Sequence, residues 1–295
     1  MRNAIRLALV LVLVSPNASY AWGTAAHRSI MARAIDLLPP ALKPFFDHFR
    51  DQLVLRVVDP DEWRNAGWDE DPNHFVDFGM PEYGPPPFRA LPREYGAAIE
   101  KFGMATLKKN GLLPWREAEE FGNLRRAMEG FAKDTLFAPA NTVLFAAAAA
   151  HYIQDAHQPL HATNNYDGQL TQQTGVHSRF ESALFDRFQN RLTITPAAPR
   201  PIANPRDAAF DVLIASHALV QAVLDADKRA VAGKDTYDDE YYEKFFDGVK
   251  PILEQRIAES ITATAALIIG AWEAAGKPAL KTSMPPPVQK VRQPR

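Results

Sequence analysis

The chain has 295 residues, with 33 Lys and Arg against 35 Asp and Glu, eight histidines and no cysteine. Without thiols there can be no disulfide, cysteine nucleophile or thiolate metal site, so any metal must be held by His, Asp, Glu or backbone groups. A formal net charge of −2 gives no global electrostatic footprint for nucleic acid and leaves room only for a local basic groove.

Residues 1–21 read as a signal peptide. Arg2 and Arg6 form a basic n-region, residues 7–14 an apolar core too short to span a bilayer comfortably, and Ser19-Tyr20-Ala21 a small-x-small cleavage site. A cut between Ala21 and Trp22 removes two basic residues, takes the net charge from −2 to −4, and implies export to the periplasm or beyond. No later segment reads as membrane-spanning. From Trp22 onward the periodicity is helical. "TAAHRSIMARAIDLL" (24–38) is stopped by Pro39-Pro40, and Pro44 allows a second helix to about residue 52. Further helices are predicted at 93–109, 114–134, 140–156, 177–192, 205–226 and 237–274, the last with a break near Lys250-Pro251. Residues 141–156 are so apolar that they must form a central, buried helix. The best strand candidate is "RLTIT" at 191–195. The Pro-, Gly- and aromatic-rich stretch 78–92 reads as a surface loop and a candidate lid, with Phe78, Tyr83 and Phe88 either rimming a site or pinning the loop. Residues 276–295 form a basic, Pro-rich tail predicted to be disordered. The fold class is therefore all-α, with one mostly helical domain over 22–275.

The histidines carry the chemistry. In "HYIQDAHQPLHA" (151–162), His151 and Asp155 are four apart and project from one helix face, and Pro159 ends the helix so that His161 can turn back. That geometry suits two ligands on one ion, or equally a His–Asp ion pair in a core. His177 and Glu181 repeat the spacing in "HSRFE". The stretch 59–77 adds Asp59, Asp61 and His74, with Asp77 placed to hold the other ring nitrogen of His74. Arg64 could clamp a phosphate oxygen. Together with His27, these donors are too many for one tetrahedral zinc and suit two or three ions. His48 and His217 lack such neighbours and read as structural. His157 is ambiguous.

A post-signal Trp, a following His, Asp…His, His-x-x-x-Asp…His and His-x-x-x-carboxylate, in that order, resemble the zinc-dependent phospholipase C / S1–P1 nuclease superfamily. The resemblance implies an all-helical fold with a trinuclear zinc cleft. It implies Asp61, His74, His151 and Asp155 on the first zinc, and His161, His177 and Glu181 on the second. The third would take the amine and carbonyl of Trp22, the side chain of His27 and the second oxygen of Asp155. Asp59 competes with Asp61 for its place, and the "PD" before "EWR" favours Asp61.

The implied activity is hydrolysis of a phosphodiester by a zinc-activated water. Asp61 would orient the water or take its proton, and Arg64 would add charge to the transition state. "QPLHATN" followed by "HSRFE" resembles the phospholipase C branch, while the spacing of Trp22 to His27 and of Asp61 to Arg64 resembles the nuclease branch. The reading favours a phospholipase C-like enzyme in transient contact with a membrane surface. The alternatives are a nuclease or 3′-nucleotidase acting on single-stranded nucleic acid, and an exported metal-binding protein without turnover.

Overall fold

The computed structural model describes residues 22–284. The signal peptide expected at residues 1–21 and the last part of the predicted tail lie outside them. The described residues form helices and turns with no strand, an all-α fold. In chain order the helices are α1 (Thr24–Asp36), α2 (Lys43–His48), α3 (Arg50–Arg56), α4 (Asp59–Asn65), α5 (Tyr95–Phe102), α6 (Met104–Asn110), α7 (Leu113–Ala132), α8 (Ala138–Ala156), α9 (Val176–Ser178), α10 (Leu184–Phe188), α11 (Pro205–His217), α12 (Val220–Val231) and α13 (Asp239–Ala274). A π-helical turn, Arg179–Ala183, joins α9 to α10.

Helix α8 is the axis of the molecule. It packs against α7, α13, α3, α11 and α1. Ala146 to Ala150 are all fully buried, and such small side chains let neighbours close in around the helix. The sequence thereby drives His151, the next residue, and Asp155, one turn further on, into the interior.

Several predicted boundaries move. Residues 93–109 form two helices, because Gly103 at φ 77° ends α5 and starts α6. Residues 205–226 divide after His217, where the Ser216 hydroxyl and the His217 ring turn to the carbonyls of Ala156 and Ala162. Helix α13 runs through Pro251 unbroken. Pro251 is exposed, so the carbonyl its ring leaves without a helical donor can be met by water. The 191–195 strand is absent. Arg191 closes a 3₁₀ turn, and the Ile194 carbonyl accepts from the Arg33 side chain in place of a ladder.

The 78–92 loop is no lid. Phe78, Tyr83 and Phe88 are buried, and Phe78 stacks on Phe88 at 4.2 Å with His217 edge-on to both. The start of the tail lies on the body. The Trp272 indole donates to the Pro278 carbonyl, and Lys281 pairs with Asp134. Two stretches, Pro205–Val231 and Asp239–Ala274, are long and apolar enough by composition to cross a membrane, against the sequence reading. In α13 the apolar surface faces the core, with Phe245, Phe246, Leu253 and Ile257 buried.

Candidate metal centre

Four segments meet at the C-terminal end of α8. Helix α1 brings His27, α4 brings Asp61, a 3₁₀ turn at Asp71–His74 brings His74, and the π-turn brings Glu181 beside His177 of α9. Two glycines allow the approach. A Cβ on Gly111, at φ 99°, would lie 2.1 Å from the Phe75 carbonyl oxygen, beside His74. One on Gly23 would lie 2.5 Å from the Ser182 hydroxyl, beside Glu181.

The buried ligand atoms fall into three groups: Asp61, His74 and His151; His27, His151 and Asp155; and His161, His177 and Glu181. Within each group the atoms lie within 4.8 Å of one another, so each could hold a metal ion. Asp155 joins the first two. One of its oxygens is 3.0 Å from His74 Nδ1 and 3.2 Å from His151 Nε2, and the other is 3.3 Å from His27 Nε2. Asp61 Oδ1 is 3.9 Å from His74 Nδ1 and 4.0 Å from His151 Nε2. In the third group, His177 Nε2 lies 2.8 Å from Glu181 Oε2 and 3.1 Å from His161 Nε2.

Proton bookkeeping separates this centre from an ordinary polar core. The Nδ1–H groups of His151, His161 and His177 donate to the carbonyls of Val57, His74 and Tyr166, and that of His27 to Gln154 Oε1. Each of these contacts leaves an Nε2 lone pair aimed inward. The inward nitrogens meet carboxylate oxygens and each other, which are also acceptors. Both oxygens of Asp61, Asp155 Oδ1 and Glu181 Oε1 accept no hydrogen bond although fully buried. Such an arrangement needs a cation or extra protons between the acceptors.

The titration directions agree. Burial pulls the His151 imidazole down, but Asp155 and Asp61 outweigh it and push it up to about 9. Burial likewise opposes the upward shift of His161, which Glu181 and Asp155 produce. His74 is lowered by burial despite Asp155. Burial would raise Asp155 and Glu181, but their histidines hold both below the usual carboxylate range.

A cleft of about 400 Å³ opens over the groups, with His74, His161 and His177 in its lining. Arg64 lies on its wall, 3.3 Å from Asp61 Oδ1 and 3.7 Å from Asp71, and Lys109 and Asp77 also line it. Phe75 and the half-exposed Tyr166 supply its aromatic surface. No residue of the 78–92 loop reaches it.

Other sequence-predicted positions fall elsewhere. Asp59 turns to Arg56, 2.8 Å away, outside every group. Asp77 does not hold His74, because the free ring nitrogen of His74 and Asp77 Oδ1 are both buried without partners. His157 donates to its own helix at Ile153, and His48 is exposed. Trp22 is fully buried, its ring 6.0 Å from Phe180 in the π-turn. Two supporting residues were missed. Gln154 holds the outer nitrogen of His27, and the Gln158 amide donates to Glu181 Oε2 at 3.0 Å. Their positions, each three residues after a ligand of α8 or its exit turn, were the available signal. No protein-family model matches this chain, and no curated protein matches it either.

Proposed function

We propose that this protein is a zinc-dependent phosphodiester hydrolase of the phospholipase C / S1–P1 nuclease type, acting after export. One observation carries the reading: three adjoining buried groups of nitrogen and oxygen acceptors face one another under a cleft that also presents Arg64 and Lys109. Imidazole and carboxylate without thiolate suit zinc. The first ion would sit on Asp61, His74, His151 and Asp155, and the second on His161, His177 and Glu181. The third would sit on His27, Asp155 and the Trp22 amine that signal cleavage would free. Zinc bound there would supply a water of near-neutral pKa and neutralise charge on the phosphoryl oxygens.

The chain's own residues complete the chemistry. Asp61, whose oxygens accept no hydrogen bond, can accept a proton from the attacking water. Arg64, held at Asp61, can donate to a non-bridging phosphoryl oxygen. Lys109 adds positive charge at the rim.

The "QPLHATN" and "HSRFE" pattern favours a phospholipid substrate. A second reading, single-stranded nucleic acid, is favoured by Phe75 and Tyr166, which offer ring faces to a base in the same cleft. Zinc content, with parallel assays on phosphatidylcholine and single-stranded DNA with and without a chelator, tests both readings. Chelator-sensitive hydrolysis of either substrate is expected. Less than one zinc per chain overturns the metal reading, and zinc without turnover on either substrate leaves a metal-binding protein. A Gly-Ser extension before Trp22 should weaken one of three zinc ions, and full loading of that variant removes Trp22 from the ligand set.

A further inference from the structure

Next to the His161–His177–Glu181 group lies a buried network that touches no metal ligand atom. Arg179 sits in the π-turn between His177 and Glu181 and is 6% exposed. Its Nη2 lies 3.1 Å from Asp227 Oδ1 of α12, and its Nε donates to the Tyr241 hydroxyl of α13 at 2.9 Å. The same guanidinium donates to the carbonyls of Gln173 and Thr174 in the loop before α9. Asp227 is 1% exposed, and its other oxygen accepts from Gln173 Nε2 at 2.7 Å. Gly175, at φ 87°, is part of the device, since a Cβ there would lie 2.7 Å from Arg179 Nη1. The guanidinium thus ties the π-turn, the preceding loop, α12 and α13 into one unit.

We infer that the Arg179–Asp227 pair is a positioning device for the His177–Glu181 metal group. This rests on the metal reading above. A buried ion pair gives little net stability over apolar residues of the same size, so its presence here calls for another role. A π-turn is wider than an α-turn and places Glu181 against His177 with a bond pattern that neighbouring structure must hold in place. Arg179 supplies that hold from the residue midway between the two ligands. Asp227 fixes Arg179 from a helix that carries no metal ligand.

The test uses the whole processed chain, freed of metal by chelation and titrated with zinc against a chromophoric chelator. Wild-type protein is expected to bind three equivalents tightly. Asp227→Asn should weaken one equivalent about ten- to a hundredfold, as loss of a supporting partner does, and leave two. His177→Ala marks which equivalent belongs to this group, and combining it with Asp227→Asn should cause no further loss. Asp227→Asn also leaves a buried guanidinium without its counter-charge and can destabilise the fold, so a second variant separates the effects. Arg179→Met with Asp227→Leu fills the space without charge. It should recover thermal stability while the same zinc equivalent stays weak. Three tight equivalents in that double variant overturn the inference. Failure of wild-type protein to bind zinc overturns the metal reading beneath it instead.

Discussion

Two polar regions lie side by side in this interior and solve burial differently. Around Asp227, every charge has its complement: Arg179, Tyr241 and Gln173 donate, and both carboxylate oxygens accept. Around Asp155 and Glu181, acceptors face acceptors, and several buried oxygens have no donor at all. Burial alone therefore does not distinguish a structural network from a site. The sign of the imbalance does, because a surplus of inward lone pairs is relieved by a cation.

The largest expected effect tests that contrast directly. His151 belongs to two of the three groups and is a proposed ligand of the first ion, so His151→Ala should abolish tight zinc binding there and lower hydrolysis more than about a hundredfold. Zinc content and turnover on whichever diester the wild-type protein cleaves are the measurements. Wild-type zinc content in this variant would mean that protons, not metal, fill the space between the acceptors.

How much of this was legible beforehand follows from where each signal resides. The His151–Asp155 and His177–Glu181 pairs are visible because helical spacing alone puts them on one face. The buried character of α8 is visible because its alanine run has no polar side. The carbonyls of Val57, His74 and Tyr166, which fix the ring tautomers, carry no side-chain signal, and only folding brings them to their histidines. The division of 205–226 has the same cause. No Gly or Pro marks it, and the contacts of Ser216 and His217 impose it.

Gly111 sharpens the comparison from the backbone side. Gly111→Ala places a Cβ 2.1 Å from the Phe75 carbonyl oxygen at a φ of 99°. It should cost about 1–3 kcal/mol of stability. Because Phe75 follows His74, zinc at the first group should weaken as well. Thermal unfolding and zinc titration measure the two effects. A variant that unfolds at a lower temperature yet binds zinc normally would separate the backbone fit from the site.

Asp77 shows a third way to bury a carboxyl. One of its oxygens has no donor, yet it joins no metal group. Burial, with the charge of Asp71, raises its pKa to about 7, against opposition from Lys109. It therefore keeps its proton in the fold at pH values where the unfolded chain has lost it. The sign follows: its contribution is fully present below the ordinary value of 3.8 and is lost as pH rises to about 7. In metal-free protein, Asp77→Asn should thus gain stability over wild type across that interval, with a constant gap above it. Denaturant titrations at pH 4, 6 and 8 test this. A gap that does not change with pH would mean that Asp77 is ionised in the fold throughout.

The smallest expected effect lies with Asp59, two residues from Asp61 on the same helix. Asp59 pairs with Arg56 at 2.8 Å, with both side chains partly exposed, whereas Asp61 has Arg64 at 3.3 Å but accepts no hydrogen bond. Exposed pairs of this kind contribute about 0–1 kcal/mol. Asp59→Ala should therefore shift thermal unfolding little and leave zinc content unchanged. Asp61→Ala, by contrast, removes a fully buried carboxylate whose oxygens accept no hydrogen bond, and should weaken zinc at the first group. The two aspartates thus differ in burial and in what their oxygens meet. If Asp59→Ala releases zinc while Asp61→Ala retains it, the surplus of acceptors at Asp61 is not a metal signal, and the contrast drawn between the two buried regions fails there.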